Sequence, residues 1–161
     1  MPISSNPPDG ITLRDYRPGD AAAMYALDLE CFAPPFRFTL RAMRRFAEQP
    51  GAIVLLAESS HPHPKLAAFV IAHMEGQTAY IVTLDVAPIF RRNGLARILM
   101  AETESRAGAA GAREIALHVF SRNTGAIAFY ESLGYNRLRM AENFYARGVH
   151  ALIYQKQMSP K

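Results

Sequence analysis

The order of predicted elements along the chain favours an α/β fold in one domain. A strand at residues 11–17 precedes two helices, at residues 21–32 and about 39–48, and short runs with strand character then recur between residues 52 and 86. A third and a fourth helix alternate with a strand at residues 114–120, and two more strands follow. Such alternation builds a sheet covered by helices, to which hairpins add antiparallel strands.

Local signals indicate the first strand and the first two helices. Residues 11–17 (ITLRDYR) alternate weakly between apolar and polar side chains, as a strand does. A Pro-Gly turn follows, and Asp20 is the candidate N-cap of the first helix, which two consecutive prolines end. Thr39 is placed to cap the second helix, which stops at Pro50.

Three strands are then predicted in succession. Residues 52–57 (AIVLLA) form a short apolar run typical of a buried strand, and the turn at residues 59–64 separates it from a second strand at residues 66–74. The third strand begins at Tyr80 with β-branched and apolar residues, and Pro88 ends it because proline has no backbone N–H to donate.

A basic, glycine-containing turn joins this third strand to a helix whose apolar stripe includes Leu95 and Ile98. Its sequence is Arg91-Arg92-Asn93-Gly94-Leu95-Ala96. The free N–H groups and the dipole at a helix N-terminus favour a bound phosphate, and small residues let an anion approach the backbone. No Lys-Ser/Thr pair follows Gly94 and no GxGxxG is present, which argues against a nucleotide P-loop or a dinucleotide site. The alternative is an ordinary turn with surface arginines.

The last third of the chain alternates strand, helix and strands. Residues 114–120 (EIALHVF) are typical of a strand. Asn123 is the candidate N-cap of a helix that runs to Leu133, and Gly134 is the residue that ends it. Two final strands, at residues 135–139 and 149–156, are joined by a loop that contains Asn143-Phe144-Tyr145.

Composition excludes several classes of protein. The chain has 161 residues, half of them hydrophobic, so we expect one domain at residues 11–157 behind a short disordered tail at residues 1–10. No run is long enough to span a membrane and the first residues lack a signal peptide, so a cytoplasmic location is expected. Cys31, the single cysteine, excludes an intramolecular disulfide and is expected to be a small apolar residue on its helix.

Charge and histidine content give weaker signals. The net charge of +4 comes from scattered arginines, which favours an anionic cofactor over nucleic acid as the partner. His61 and His63 have no cysteine or carboxylate cluster beside them, so no metal site is expected.

Two of these stretches together resemble the GNAT acetyltransferases, which bind acetyl-CoA. The first is the R-x-x-G-x-A turn from Arg91 to Ala96, and the second is N-x-x-A-x-x-x-Y-x-x-x-G-Y from Asn123 to Tyr135. The resemblance extends from about Ile11 to Lys156. It implies a mixed, mostly antiparallel sheet of six to seven strands, with a central splayed pair of parallel strands and about four flanking helices.

Within that family the chain is most similar to the N-terminal amine acetyltransferases. Tyr80 and His118 match a Tyr and a His of the eukaryotic enzyme that acts on Met-initiated N-termini. The bacterial ribosomal-protein alanine acetyltransferases share the N-x-x-A-I-A-x-Y-E-S-L-G block but carry Glu where this chain has His118. Asn143-Phe144-Tyr145 resembles the N-Y-Y of the peptide-clasping loop in both groups.

The resemblance implies roles for individual residues. Tyr80 and His118, with one water between them, would take the proton of the attacking amine, and Tyr130 would protonate the CoA sulfur. A bulge is implied at Leu84 to Val86, where a backbone N–H would meet the thioester oxygen. The implied acetyl-CoA site comprises Leu84, Asp85, Val86, Arg91, Arg92, Asn93, Gly94, Leu95, Ala96, Arg97, Asn123 and Ala126. The implied acceptor site comprises Phe32, Pro35, Phe36, Val82 and Tyr145.

Several alternatives stay open at the level of sequence. His118 and Tyr130 also fit the pattern of ordinary core residues. The expected acceptor is the N-terminal α-amine of a protein or peptide, for which a ribosomal protein is one candidate. A small amine such as a polyamine or an antibiotic, a lysine side chain, and a non-catalytic acyl-CoA-binding module are the rivals. The expected assembly is a monomer or a weak homodimer.

Overall fold

A seven-stranded sheet forms the centre of the computed structural model, which describes residues 6–61 and 63–159. Its strands are β1 (Ile11–Asp15), β2 (Ile53–Ser59), β3 (Lys65–Glu75), β4 (Thr78–Val86), β5 (Glu114–Phe120), β6 (Asn136–Ala146) and β7 (Val149–Gln157). Four α-helices occur in the described residues: α1 (Ala21–Cys31), α2 (Leu40–Ala47), α3 (Leu95–Ala109) and α4 (Thr124–Ser132). The strand order is β1-β2-β3-β4-β5-β7-β6, and only the β4–β5 pair is parallel among these strands. The expected mixed sheet with a central parallel pair and four helices is confirmed.

The helices cover the two faces of the sheet separately. On one face, α1 and α2 contribute Met24 and Met43 to a cluster with Phe69 of β3. On the other face, α3 packs Leu99 and Met100 against the sheet in a second cluster. None of the helices in the described part of the chain has the length and apolar character that a membrane span requires.

Side-chain caps hold two of the helix starts that were predicted. Thr39 accepts a hydrogen bond from the Ala42 amide at 3.0 Å, and Asn123 accepts one from the Ala126 amide at 3.1 Å. Asp20 occupies the N-cap position of α1 as predicted, but its side chain makes no bond to the helix. Its two carboxylate oxygens each accept a 2.9 Å hydrogen bond from the Arg14 guanidinium. Two charge-assisted hydrogen bonds are stronger than one bond to a helix amide, so the side chain stays with Arg14.

The end of the chain differs from the predicted loop between two short strands. Asn143, Phe144 and Tyr145 lie within β6, which continues to Ala146. The pairing of β6 with β7 is interrupted between residues 141 and 146, and Asn143 adopts a φ of 55° there. Its side-chain oxygen accepts a 2.7 Å bond from the Gly148 amide, which stabilises this irregular segment.

The predicted tail at residues 1–10 falls partly outside the described residues, which begin at residue 6. Close to β1 the chain is held in place, since the Gly10 carbonyl accepts a 3.0 Å bond from the Ser60 amide.

The parallel pair at the centre of the sheet separates after one short run of pairing. Residues 78–81 of β4 pair with residues 114–117 of β5, and beyond this run β4 continues beside β3 while β5 continues beside β7. Ile71 pairs with Thr83 and Ala72 pairs with Ile81, so Val82 is an extra residue on β4. The bulge predicted at residues 84–86 therefore lies at Val82.

The bulge reverses the alternation of β4 side chains. Ala79 and Ile81 pack in the cluster beneath α3, and after the bulge Leu84 and Val86 pack there as well. Without the extra residue, Ile81 and Leu84 would face opposite sides of the sheet. The bulge thus aims Thr83 and Asp85 at the α1 face.

Candidate active site

A cavity of about 660 Å³ opens where β4 and β5 separate. This volume is typical of a site for a small molecule. It is lined by the splayed ends of both strands, by the end of α1 and the residues after it, by the first turns of α3 and α4, and by Tyr145 of β6. The lining side chains are Cys31, Phe32, Phe36, Phe38, Ile81, Val82, Thr83, Leu84, Asp85, Val86, Arg91, Arg92, Ala96, Leu117, His118, Val119, Phe120, Asn123, Gly125, Ala126, Phe129, Tyr130 and Tyr145.

The edge of β4 presents free backbone groups to this cavity. The Ala87 amide donates to Ala67 of the neighbouring chain segment at 2.8 Å. In an antiparallel ladder every second residue bonds to the same neighbour, so Asp85 and Thr83 also bond towards β3. The amides of Leu84 and Val86 therefore face the gap between β4 and β5.

This alternation corrects the prediction that Asp85 binds acetyl-CoA through its backbone, and it identifies which amide of residues 84–86 can be the donor. The Asp85 amide faces β3 and is not available to a ligand in the cavity. The Val86 carbonyl already accepts bonds from the Cys31 thiol at 3.3 Å and from the Arg91 Nε at 3.0 Å. Of the two amides that face the gap, that of Leu84 is nearer to Ile81, where the pairing of β4 with β5 ends, so it is the donor best placed beside the splay.

Tyr80 and His118 are in direct contact on the parallel strand pair. The Tyr80 hydroxyl lies 2.8 Å from the His118 Nδ1, and the two rings meet edge to face at 5.4 Å. The water predicted between them has no room in this arrangement. His118 lines the cavity, whereas Tyr80 does not belong to its lining.

Burial keeps both members of this pair uncharged near neutrality. It is the main cause of the lowered pKa of His118, and the charge of Arg139 adds to the effect. Burial also raises the pKa of Tyr80 to about 12, with a smaller contribution from Glu75. A neutral imidazole bonded to a neutral phenol can accept a proton.

Phe144 covers His118 in a way that sequence reasoning missed. The two rings are stacked, with centroids 4.0 Å apart and planes 11° from parallel. The neighbouring Asn143 amide donates to His150 Nδ1 at 2.9 Å, which fixes the irregular part of β6 above the site. The only signal in the sequence was the match of residues 143–145 to N-Y-Y.

Tyr130 brings a second phenol to the cavity from α4. Burial, followed by the nearby Asp85 carboxyl, raises its pKa well above the ordinary value. Its ring packs edge to face against Phe129 and Tyr135, at 5.1 and 5.9 Å. The core role and the site role that the sequence left open are therefore compatible in Tyr130.

Aromatic rings close the end of the cavity on the α1 side. Phe36 contacts Phe120 at 4.9 Å and Tyr145 at 4.8 Å. Phe32 and Val82 complete this end as expected, whereas Pro35 is exposed and does not line the cavity. Phe120 was missed, although its position two residues after His118 on the same strand places both on one face.

The N-terminus of α3 forms the opposite end. Gly94 has a φ of 77°, its helix has no side-chain cap, and no acidic residue stands in the first turn. A Cβ added at Gly94 would meet no atom within 4 Å, so open space adjoins the backbone. Arg91 and Arg92 are exposed beside this end.

The sequence profile of the Acetyltransferase (GNAT) family matches residues 21–135, which is more than half of the chain. The chain belongs to the GNAT acetyltransferases.

Among curated proteins, the ribosomal protein bS18-alanine N-acetyltransferase of Escherichia coli K12 is 28% identical over 134 residues, which is 83% of this chain and 86% of that protein. The crystal structure of the ribosomal-protein-S18-alanine N-acetyltransferase from Escherichia coli matches with a TM-score of 0.81 and 23% identity, over 94% of this chain and 96% of that one. The crystal structure of Arabidopsis thaliana NAA60 in complex with acetyl-CoA matches with a TM-score of 0.81 and 22% identity, over 92% of this chain and 98% of that one. The two structural likenesses show the fold.

The GNAT enzymes use acetyl-CoA, and the α3 end of the cavity fits an anionic diphosphate. The uncapped amides at Gly94 and beyond are free to donate, the helix dipole adds partial positive charge, and the exposed Arg92 stands beside them. Leu95 is only 2% exposed, so its contribution is limited to its amide. Arg97 instead bonds to Ser132 Oγ at 3.1 Å and ties α3 to α4.

The structure separates the predicted residues of this GNAT site into two groups. Those that line the cavity are Phe32, Phe36, Val82, Leu84, Asp85, Val86, Arg91, Arg92, Ala96, His118, Asn123, Ala126, Tyr130 and Tyr145. Those that lie outside the lining are Pro35, Tyr80, Asn93, Gly94, Leu95 and Arg97.

Cys31 also borders the cavity of this acetyltransferase, which its helical pattern did not predict. Burial, followed by the charge of Asp85, raises the pKa of its thiol to about 11. A thiol with this pKa is protonated near neutrality and is a poor nucleophile.

Proposed function

We propose that this acetyltransferase modifies the N-terminal α-amine of a protein or peptide. The observation that carries the proposal is the 2.8 Å contact between Tyr80 and His118 beside the cavity. The relative that acts on the alanine of a ribosomal protein supports the same class of acceptor.

A weak base such as this pair suits an α-amine. An α-amino group has a pKa of about 8, whereas a lysine side chain has a pKa of about 10.4. At 1.36 kcal/mol per unit, removing the lysine proton costs about 3 kcal/mol more. The His118 pKa is lowered, which weakens the imidazole as a base and favours the acceptor that needs less help.

The lining of the acceptor end also favours a peptide. Phe32, Phe36, Phe120 and Tyr145 present aromatic surface there. In the described part of the chain, Asp85 is the only carboxylate side chain of the lining, and it is 1% exposed. A polyamine acceptor would be better served by exposed carboxylates.

The residues take complementary roles around the reacting groups. Bound acetyl-CoA supplies a thioester carbonyl that an amine can attack. His118, which lines the cavity, takes the proton of the incoming ammonium on Nε2, while its Nδ1–H donates to the Tyr80 oxygen, which holds the ring in place. The Leu84 amide stabilises the negative charge that develops on the carbonyl oxygen, and Tyr130 donates a proton to the departing sulfur.

A competition among amines tests this proposal. Peptides with a free N-terminus and one internal lysine, the same peptides with a blocked N-terminus, spermidine and an aminoglycoside are incubated with acetyl-CoA. Mass spectrometry then locates the acetyl group. We expect α-amines to react roughly two orders of magnitude faster than lysine, in line with the pKa difference. Acetylation mainly of lysine or of the small amines overturns the proposal.

A further inference from the structure

Two aspartates meet in the interior beside the cavity, and the catalytic roles above use neither carboxyl group. Asp28 lies on α1 and Asp85 on β4, and their exposures are 0% and 1%. The Asp85 carboxyl is within hydrogen-bonding reach of the Asp28 carboxyl. Burying two ionised carboxylates side by side is very costly, so one of them must hold a proton.

Hydrogen bonds account for one oxygen of each carboxyl group. Asp28 Oδ2 accepts the Phe38 amide at 2.9 Å, and Asp85 Oδ1 accepts the Thr83 hydroxyl at 2.5 Å. Asp28 Oδ1 and Asp85 Oδ2 are both buried and find no donor among residues 6–61 and 63–159. A single proton between these two oxygens would satisfy both of them.

We propose that Asp28 and Asp85 share one proton, and that this bridge positions the α1–α2 loop, residues 32–39, against β4. The bridge links β4 to α1, and the Phe38 amide links α1 to the far end of the loop. Phe32 and Phe36 of the loop line the acceptor end of the cavity. Asp28 and Asp85 are therefore positioning residues for the acceptor, an inference that rests on the proposed acceptor side of the site.

The surroundings favour the protonated pair over two charges. Burial is the main cause that raises the pKa of Asp85 well above its ordinary value, and the bond to Asp28 and its charge come next. The Thr83 hydroxyl and the Arg91 guanidinium act in the opposite direction. Cys31 of α1 and Tyr130 of α4 also face the pair, and the negative charge of Asp85 raises the pKa of both.

Loss of the shared proton at alkaline pH should loosen the loop. Two adjacent negative charges would then repel each other across the contact between α1 and β4. The expected effect is a rise in KM for the amine acceptor, with much smaller changes in kcat and in KM for acetyl-CoA.

Asp28→Asn gives the decisive comparison, because its amide oxygen can still accept from Phe38 while its NH₂ donates to Asp85 without any titration. The acceptor KM of the wild type is divided by that of the variant between about pH 6 and pH 10, which cancels the titration of the amine itself. Any peptide or amine that is turned over serves as the acceptor. The matched control is Glu30→Gln, the same change at an exposed position of α1.

We expect the ratio to increase about tenfold or more across this range, and the ratio of wild type to Glu30→Gln to stay constant. Asp28→Ala should raise KM at every pH, because it leaves Asp85 and the Phe38 amide unpaired. A ratio for Asp28→Asn that stays constant overturns the shared proton. If Asp28→Asn does not fold, Asp85→Asn provides the same comparison, since its NH₂ can donate to Asp28.

Hydrogen exchange separates this inference from the choice of acceptor. After correction for the intrinsic rate, protection of the Phe38 amide should fall with rising pH in the wild type and persist in Asp28→Asn. No acceptor is needed, so the result stands even if α-amines are not the substrate. Equal protection in both proteins at alkaline pH contradicts the bridge.

Discussion

The ring of Phe144 lies flat on that of His118, with the centroids 4.0 Å apart. Phe144 is 47% exposed, so it forms the cover between the imidazole and solvent. Burial is the first cause of the lowered pKa of His118. Phe144→Ala should therefore raise this pKa towards its ordinary value of about 6.5. Because the base acts in its neutral form, the acidic limb of kcat/KM should shift to higher pH.

Titration of the His118 ring protons by NMR measures the pKa directly, and a pH–rate profile measures its consequence. Phe144→Tyr is the matched control, since it keeps the ring and should leave both curves in place. An acidic limb that does not move in Phe144→Ala would show that this stack does not set the pKa.

Saturation with acetyl-CoA should stabilise the protein through the α3 N-terminus. A ligand at about 100 times its Kd adds about 2.7 kcal/mol to the free energy of unfolding, which corresponds to a rise in Tm of about 5–10 °C for a chain of this size. Gly94→Glu should abolish the rise, because it places bulk and negative charge where the diphosphate binds.

Gly94 has a φ of 77°, so any substitution there also strains the backbone. Gly94→Asn is the control, since asparagine tolerates this conformation and adds no charge. Differential scanning fluorimetry with and without acetyl-CoA compares the rises within each variant. A full rise in Gly94→Glu contradicts the assignment of the anion site.

Tyr130→Phe should lower kcat by about a hundredfold or more, the range of a lost general acid, while Kd for acetyl-CoA changes little. The ring and its packing remain and only the hydroxyl is removed. Tyr135→Phe is the control, since its ring packs against that of Tyr130 with centroids 5.9 Å apart, its hydroxyl is also buried, and it lies outside the cavity lining. Single-turnover kinetics isolates the chemical step, and an unchanged rate in Tyr130→Phe removes this residue from the role.

The carboxyl pair also predicts a pH dependence of stability. The pKa of Asp85 in the folded state lies above its unfolded value of about 3.9, so its stabilising contribution is complete below that value. The contribution is lost as pH rises through the folded pKa, by up to about 1.36 kcal/mol per pH unit for one proton. The free energy of unfolding of the wild type should therefore fall relative to that of Asp28→Asn.

Urea unfolding at a series of pH values measures this difference. The series stops below about pH 10, because the Cys31 thiol, which faces the pair and has a pKa of about 11, titrates above that range. Parallel curves for the wild type and Asp28→Asn contradict the titrating pair.

The elements that sequence predicted well are those that carry their own signals. β5 matches the predicted residues 114–120, and α4 begins at the Asn123 cap and ends before Gly134. Such caps and strand patterns depend on only a few neighbouring residues, so a short stretch of sequence is enough to recognise them.

The features that sequence missed depend on partners far along the chain. The Asp20 side chain does not cap α1, because it binds Arg14 of β1, which also binds Glu58 of β2. The sequence predicts a loop at Asn143, because the irregular pairing of β6 there is set by β7 and His150. The contact between Asp28 and Asp85 follows no pattern, because two acids meet only through the packing of α1 on β4.

The direct contact between Tyr80 and His118 predicts that the two residues act as one unit. If Tyr80 holds the imidazole that takes the proton, removing either residue should disable the pair, and removing both should cost little more. Tyr80→Phe and His118→Ala should each lower kcat/KM for an amine acceptor at neutral pH by about 10²-fold. The kcat/KM of the double variant should be close to that of the less active single variant, and far above the value expected if the two losses multiplied.

The pH dependence of the activity loss in these variants distinguishes a role in proton transfer from a structural role. As pH rises past about 8, an α-amine loses its proton without help, so the defect of each single variant should shrink. A pH–rate profile with a peptide acceptor measures this, and circular dichroism at each pH checks that the variants stay folded. Additive losses, or a defect that stays constant from neutral to alkaline pH, would mean that Tyr80 and His118 hold the structure or the substrate and do not move the proton.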